Sequence, residues 1–304
     1  MTPQKSIFQR PVWVTVFALT AAIAWGWAYP LIKLGFGEFG ITPDMTGSKM
    51  LFAGIRFCIS GLIILFIAGV TKREFKVREH SDWWYILLFC MLNTTLHYAF
   101  FYFGLSHSEG SRAAILNSLS VFSVVIFACL FFKSDRMTAN KVIGCVIGFA
   151  GIVSLNLGGA DSGRFSLLGD GMIILNALCG ASASLLIRGL GKRVDVFVGT
   201  GYSLAIGGTL LVLPGIFLGG EFPMVTATGC LYLVLLIAIS TMGFTLYNKL
   251  LTCNPVGKVA IYNSLIPVVG AVTSCLCLDE QFQIKYVIAG ALAATGIYII
   301  NRSK

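Results

Sequence analysis

The chain has 304 residues, of which 57% are hydrophobic and only 12% are charged, with a formal net charge of +9. Its mean hydropathy of +0.85 excludes an ordinary soluble protein. Helices of soluble proteins carry polar stripes at a period of 3.6 residues, whereas the charges here lie almost entirely between the apolar segments. The positive charge follows the membrane topology described below, so we expect no nucleic-acid partner.

Ten segments have the length and apolar character of membrane-spanning helices, which need about 20 residues to cross ~30 Å of hydrocarbon. In chain order they are predicted at residues 12–34, 49–70, 82–106, 112–132, 139–157, 168–189, 198–218, 227–248, 257–278 and 284–301. The first follows Lys5 and Arg10, as a signal sequence follows basic residues. Its apolar core is too long for one and no small-residue cleavage site stands out, so we expect it to remain in the chain. The predicted fold class is an all-α polytopic membrane protein with ten transmembrane helices.

Two distant stretches of the sequence resemble each other. Arg112 to Asn156 and Lys258 to Asn301 both start at a basic residue, run into Asn-Ser-Leu and share further identities in register, which indicates an internal duplication. Each copy belongs to a unit of five spans, and an odd number of spans inverts the second unit in the membrane. The predicted units are residues 1–157 and 158–304. Inverted repeats are typical of secondary transporters that build two conformations around one mid-membrane site.

The positions of Lys and Arg predict the orientation, because basic loops resist translocation across the membrane. With the N-terminus in the cytoplasm, sixteen of the 22 basic residues lie on the inner side and five on the outer side, where eight of the 13 acids also lie. The basic loop from Lys133 to Lys141 is then inside, and its counterpart from Asp279 to Lys285 is outside. We expect a multi-pass protein of the plasma (inner) membrane with cytoplasmic N- and C-termini.

Several short motifs, taken together, resemble those of one membrane-protein family. They are Trp25-Gly26 followed by Pro30 and Lys33, Arg56-Phe57, the two Asn-Ser-Leu helices, Pro267, and the glycines Gly151 and Gly296. With ten spans in two halves, they make the chain similar to the EamA-type branch of the drug/metabolite transporter superfamily. The resemblance implies a central cavity surrounded by the first four helices of each half, with the fifth and tenth at the periphery. It also implies transport of small metabolites, often outward, including amino acids and toxic compounds.

Arg56 lies well inside the second span, where a guanidinium is costly unless it faces protein or water. It can hold a carboxylate or another anionic group of a substrate in bidentate fashion. It can equally bind backbone carbonyls or snorkel toward the outer surface. The sequence leaves both interpretations open.

The third span has a polar face. Asn93 and His97 are four residues apart, as are Thr94, Tyr98 and Tyr102 in turn, so each set shares one side of the helix. We expect these residues to form a wall of a substrate cavity, with hydrogen bonding between helices as the alternative. No Asp or Glu lies in the middle of any span. This argues mildly against carboxylate-based proton coupling and leaves facilitated diffusion, exchange or coupling through His97 open.

Further candidate substrate contacts come from both halves. Trp25 and Tyr29 lie in the outer half of the first span and can stack on a substrate or belong to an interfacial aromatic belt. Polar stripes that could meet at the same cavity recur in the sixth and eighth spans, at Asn176 with Ser184 and at Thr241, Thr245 and Asn248.

Three residues of the duplicated helix are candidates for gating. Asn117 and Asn263 occupy equivalent positions near the membrane boundary, and each can latch a gate by binding a neighbouring helix end, or can cap and pack within the fold. The resemblance implies a proline in both repeat helices. Pro267 provides one, but Val121 stands at the first-half position, so we do not expect the two halves to bend equally.

These features favour a secondary transporter of small organic metabolites, exporting amino acids or related compounds by alternating access. The alternatives are an intramembrane enzyme and a receptor or structural subunit that does not transport. The sequence has no Walker-type ATP motif, and its spans hold no paired carboxylates, Ser/His pair or metal cluster, so we expect no enzymatic activity, cofactor or metal. The expected partners are a small-molecule substrate and the lipid bilayer. The G-x-x-x-G face of Gly144 and Gly148 leaves a homodimer open beside packing within the chain.

Overall fold

The computed structural model describes residues 6–131, 137–154, 165–254, 259, 261–280 and 284–302, without the side chains at 128, 152, 188, 261, 264, 285, 301 and 302. Ten helices are found in this part of the chain. They are α1 (Pro11–Glu38), α2 (Thr46–Val70), α3 (Asp82–Ser106), α4 (Gly110–Phe131), α5 (Ala139–Ser154), α6 (a π-helical turn Leu167–Gly171 continued by Met172–Leu190), α7 (Val196–Phe217), α8 (Ala227–Cys253), α9 (a 3-10 turn Ile261–Ser264 continued by Leu265–Cys277) and α10 (Ile284–Arg302).

Seven of these helices, α1 to α4 and α6 to α8, are long and apolar enough to cross a membrane, and α5, α9 and α10 contain shorter apolar stretches. The predicted all-α polytopic fold with ten helices is therefore confirmed. Four residues that the sequence analysis used for the topology and the repeat, Lys5, Lys133, Asn156 and Lys258, lie outside the described residues.

Helix packing follows a two-fold pattern. Helix α1 packs on α8 and α9, and its counterpart α6 packs on α3 and α4. Each of the remaining principal contacts pairs a helix with its own counterpart, as in α2 with α7, α4 with α9 and α5 with α10. Exchanging every helix with the one five places along the chain thus reproduces the same set of contacts. The two halves are related as inverted repeats.

The closest helix pair is α2 with α7, and glycines form its contact. The glycines recur every seven residues on both helices, at Gly47, Gly54 and Gly61 and at Gly201, Gly208 and Gly215. A Cβ added to Gly61 would lie 2.2 Å from the backbone nitrogen of Ala205, and one added to Gly208 would lie 2.3 Å from that of Cys58. The seven-residue interval keeps the glycines on one face, so the two antiparallel backbones touch directly.

The predicted small-residue face of α5 packs inside the chain. A Cβ added to Gly144 would lie 2.5 Å from the carbonyl oxygen of Gly296 on α10, and one added to Gly148 would collide with the ring of Phe122 on α4. This is the intramolecular alternative to a dimer contact through that face. A homodimer through other small-residue faces stays a prediction.

The two ends of the bundle differ in how they are closed. At the end where α1 begins, here called the terminal face, the Asn254 side chain donates to the Phe8 carbonyl oxygen (2.7 Å), and the hydroxyls of Thr15 and Tyr262 lie 2.6 Å apart. The other end, here called the opposite face, is closed by ion pairs and by the first turns of α4. Residues 110–116 there are all buried.

Two carboxylates bind the start of α4 at the opposite face. Arg112 donates from Nε and Nη2 to the two carboxylate oxygens of Asp170 on α6, at 2.8 and 2.7 Å. Glu280, in the link between α9 and α10, accepts from the backbone N–H groups of Gly110 (2.7 Å) and Ser111 (3.1 Å) and pairs with Lys33 of α1 (3.3 Å). The two carboxylates thus tie helices of both repeats together.

We expect Gly61→Ala to lower stability by ~1–3 kcal/mol, as overpacking does in a tight contact, because its Cβ would overlap the α7 backbone. The matched control is Gly37→Ala, since a Cβ there has no heavy atom within 4 Å. Thermal unfolding of the detergent-solubilised proteins measures the difference. An unchanged midpoint for Gly61→Ala, or equal losses for both variants, would contradict the glycine contact.

Glu280 makes stability depend on pH. Burial raises its pKa, but the hydrogen bonds from Ser111 and Gly110 and the charge of Lys33 outweigh burial and hold the pKa below the ordinary value of 4.5. A carboxyl with a depressed pKa stabilises the fold above its unfolded pKa, and the contribution disappears as the pH falls through the folded value. We expect the unfolding temperature of the native protein to fall more steeply below about pH 4.5 than that of Glu280→Gln. Parallel pH profiles would show that Glu280 contributes nothing.

Candidate functional site

One cavity of about 400 Å³ lies between the two repeats. Its described lining comes from α1 to α6 and from α8 to α10, and it holds no residue of α7. Lys141 near the start of α5, Leu251 near the end of α8 and Ile300 near the end of α10 line it toward the terminal face. The contributions of α5 and α10 differ from the peripheral placement that the family resemblance implies. The cavity extends from the middle of the bundle toward the terminal face.

Most of the predicted site residues line this cavity. They are Trp25, Tyr29, Arg56, Asn93, His97, Tyr98, Asn117, Asn248 and Asn263. Five other predicted residues are not among its described lining, and these are Tyr102, Asn176, Thr241, Thr245 and Pro267. Tyr102 and Asn176 lie directly behind the lining, because they hydrogen-bond Arg56 and Asn117.

Of the polar stripe predicted on α8, Asn248 lines the cavity and the two threonines do not. The other α8 residues of the lining are Phe244, Tyr247 and Leu251. Thr241 and Thr245 are half-buried, and their buried hydroxyl oxygens have no hydrogen-bond partner in the part of the chain that the structure describes. Thr245 directly follows Phe244 and so projects about 100° further round the helix. Polarity alone therefore placed Asn248 at the cavity, but not the two threonines.

Arg56 lines the cavity, is only 2% exposed and is held by three hydrogen-bond partners. Its Nε donates to the carbonyl oxygen of Leu236 (3.1 Å) and to Oγ of Ser240 (2.8 Å), and its Nη1 donates to the Tyr102 hydroxyl (2.8 Å). Among the described residues neither a carboxylate nor any other acceptor binds Nη2. Backbone and hydroxyl contacts thus fix the Arg56 side chain. Its Nη2 group is left to bind a ligand in the cavity.

Aromatic rings surround Arg56. The rings of Tyr98 and Phe57 lie 3.9 Å apart, and the Arg56 guanidinium carbon lies 4.8 Å from the centre of the Phe57 ring. Trp25 makes an edge contact with Phe244 at 5.5 Å. These rings provide apolar surface in the cavity, and they are held in place by packing against one another. The arrangement can accept an anionic group at Arg56 and an apolar portion beside it.

Asn117 connects three helices at a break in α4. The first segment of α4 ends at Asn117, and a turn at Ser118 precedes the continuation from Leu119. Asn117 donates to the hydroxyl of Tyr29 on α1 (2.9 Å) and accepts from the side chain of Asn176 on α6 (2.7 Å). This network lies between the cavity and the buried first segment of α4.

Asn263, the counterpart of Asn117, donates instead to the hydroxyl of Tyr247 on α8 (2.6 Å). The duplicated asparagines thus bind helices that are not counterparts of each other. Pro267 follows Asn263 by four residues and is buried within α9. The two asparagines thus differ in their partners, and unequal bending of the two halves stays a prediction.

Hydroxyls on α7 were missed by sequence reasoning. A π-helical turn, Met91–Thr95, places Asn93 toward α7, where its Nδ2 donates to Oγ of Ser203 (3.0 Å). Asn248 donates from Nδ2 to Oγ1 of Thr200 (3.0 Å). Thr200 and Ser203 are three residues apart and share a helix face, a spacing that could have marked them as a pair.

His97 faces α6, and no charged side chain among the described residues pairs with it. Its Nδ1 is buried and has no hydrogen-bond partner among the described residues. A Cβ added to Gly180 would lie 3.1 Å from that atom, so Gly180 gives the ring its space. Within the described residues, no group of three His, Cys, Asp or Glu side chains could hold a metal ion.

Comparison with known proteins agrees with this architecture. A model of the EamA-like transporter family matches residues 12–157 and again residues 167–302. The uncharacterized transporter YvbV of Bacillus subtilis is 28% identical over 284 residues, which cover 92% of this chain and 88% of its own. The probable amino-acid metabolite efflux pump of Escherichia coli K12 is 23% identical and covers 93% of both chains.

A crystal structure at 19% sequence identity superposes with a TM-score of 0.70, covering 94% of this chain and 95% of its own. At this identity the superposition shows a shared fold. The family model covers nearly all of the ten helices, in two successive matches. The chain is a membrane transporter and belongs to the EamA-like transporter family.

Proposed function

We propose that the chain is a secondary transporter that exports small organic metabolites, amino acids or related compounds first, by alternating access. The observation that carries this proposal is Arg56, a buried guanidinium without an acidic partner among the described residues, in a cavity shared by both repeats. The name of the Escherichia coli relative, a probable amino-acid metabolite efflux pump, gives further support. We assign no catalytic role, because the relatives are named as transporters and the described lining contains no carboxylate.

A substrate carboxylate is a suitable ligand for the Nη2 group of Arg56. A buried cation without a counter-ion is costly, and an anionic ligand offsets that cost. The Nη2 group of Arg56 and the hydroxyl of Tyr98, which also has no partner among the described residues, are both donors at the cavity wall. Hydrogen bonds to a charged group contribute ~1.5–3 kcal/mol, enough to select carboxylates over neutral analogues.

The direction of loading follows from the orientation that we propose. With the terminal face in the cytoplasm, as the distribution of Lys and Arg favours, the cavity is lined at its cytoplasmic end by Lys141, Leu251 and Ile300. Substrate would enter the cavity from the cytoplasmic end, as export requires. Release on the other side requires the first segment of α4 to move away from Glu280 and Asp170.

We predict that Arg56→Ala weakens the apparent affinity for amino acids by about tenfold, the effect of losing a charge-assisted hydrogen bond. The assay is counterflow in liposomes, screened with amino acids, organic acids and nucleosides. Amide analogues that lack the carboxylate serve as the internal control and should bind the variant and the native protein alike. Equal handling of carboxylates by the variant, with intact folding, would make Arg56 purely structural. Absence of any saturable flux in the native protein would reject transport.

Asn117 is proposed to gate the passage between the cavity and the opposite face. Asn117→Ala removes its bonds to Tyr29 and Asn176 together, so we expect counterflow to slow by about fivefold, as the loss of roughly 1 kcal/mol implies. The folded yield and elution profile should stay unchanged. Losses of transport and of folded yield in equal proportion would show that Asn117 only packs.

A further inference from the structure

We infer that Asn93 and Asn248 form a second subsite, which binds a cationic ammonium group at a distance from the carboxylate on Arg56. This inference rests on the proposed function, because it places both ends of one substrate in the same cavity. It narrows the substrate class to zwitterions whose charges are separated by several bonds, such as ω-amino acids and diamino acids. The geometry of two amide side chains and their α7 partners carries it.

The orientation of the Asn248 amide is fixed by Thr200. The Thr200 hydroxyl donates its hydrogen to the carbonyl oxygen of Val196 at 2.7 Å, and so can only accept from Asn248. Nδ2 of Asn248 must therefore point at Thr200, where it lies at 3.0 Å. The Oδ1 atom is left as a free acceptor at the cavity wall, without a partner among the described residues.

Asn93 also binds an α7 hydroxyl through its amide. Its Nδ2 donates to Oγ of Ser203 at 3.0 Å and lies 3.4 Å from Oγ1 of Thr94. Its Oδ1 has no partner in the described part of the chain, and the residue lines the cavity. Both asparagines thus turn their donors toward α7 and their acceptors toward the ligand space. Carbonyl oxygens are suitable ligands for an ammonium group, which only donates hydrogen bonds.

The separation between the two subsites can be measured along α8. Ser240 binds Arg56, and Asn248 lies eight residues further along the helix, a rise of about 12 Å. The same comparison on α3, from Tyr102 to Asn93, gives about 13.5 Å. Arg56 and the two asparagines line one continuous cavity.

Two hydrogen bonds of about 2.8 Å each take up part of this span, which leaves roughly 6 Å between the ligand's carboxylate and its ammonium group. An extended chain advances about 1.2 Å per bond, so about four methylene groups suit the span. The charges of an α-amino acid with an apolar side chain lie too close together to reach both subsites. The apolar rings of Trp25, Tyr98 and Phe244 lie in the same cavity and can pack against the methylene chain.

The experiment is a competition series in counterflow with the native protein in liposomes. Competitors are glycine, 3-aminopropanoate, 4-aminobutanoate, 5-aminopentanoate and 6-aminohexanoate, each paired with the carboxylate of equal length that lacks the amine. We expect competition to strengthen with length and peak near 5-aminopentanoate, which should exceed pentanoate about tenfold. Competition that does not depend on the amine, or that is strongest for glycine, would overturn the inference.

Variants test whether the asparagines cause this preference. We expect Asn248→Leu and Asn93→Leu each to reduce the tenfold advantage of 5-aminopentanoate over pentanoate to about twofold or less. Thr200→Val should also reduce it, because Thr200 positions the Asn248 amide without lining the cavity. Thr209→Val is the matched control on the same helix, since Thr209 donates to its own helix at Ala205 and does not contact either asparagine. A preference unchanged in Asn248→Leu, in a folded protein, would also overturn the inference.

Two further outcomes separate this inference from the proposed function. If carboxylates compete and Arg56→Ala weakens them, but the amine has no effect, the function stands and the second subsite does not. If nothing in the series and no amino acid competes or is exchanged, the proposed function itself fails. Flux that requires sodium ions and disappears when choline replaces them would place an inorganic cation at the two amide oxygens, and would overturn the assignment to the substrate's ammonium group.

Discussion

Backbone contact between α2 and α7 is the constraint on which the rest of the structure depends. Glycines at seven-residue intervals let the two antiparallel helices touch without side chains between them, and close packing of this kind is a main attraction between helices in lipid. The contact joins the two repeats, so that helices from both enclose one cavity. It also holds α7 just behind the lining, where Thr200 and Ser203 orient the amides of Asn248 and Asn93.

The cation in the cavity and the carboxylates that bind α4 lie in different parts of the molecule. Arg56 lines the cavity, and among the described residues a carbonyl, two hydroxyls and an aromatic face hold it, with no carboxylate. A carboxylate partner would neutralise the site, whereas neutral partners keep its positive potential for a ligand. The carboxylates of Asp170 and Glu280 lie at the opposite face, where they tie the start of α4 to both repeats. The charge proposed to bind the ligand, on Arg56, is therefore separate from the charges of Asp170 and Glu280 that close the opposite face.

Much of this architecture could be predicted from the sequence, because apolar length and duplication are properties of long segments. The cavity positions of Arg56 and His97 also followed from the rule that polar groups inside spans face protein or water. What could not be predicted depends on rotation and partner choice. Thr241 and Thr245 carry the expected polarity but are not among the described lining, unlike Asn248 of the same stripe. Asn117 and Asn263 share a motif but bind different helices. Such details are set by tertiary packing that no local pattern encodes.

The most direct test of the α2–α7 contact is a disulfide between the two helices. Sγ of Cys58 on α2 lies 3.6 Å from Oγ1 of Thr209 on α7, so Thr209→Cys should form an intramolecular disulfide with Cys58 on mild oxidation in membranes, mapped by mass spectrometry. The account predicts rapid, near-complete formation that Cys58→Ser abolishes, in a protein of unchanged unfolding temperature. Failure of the two thiols to react, or a disulfide formed only between molecules, would contradict the contact that joins the two repeats.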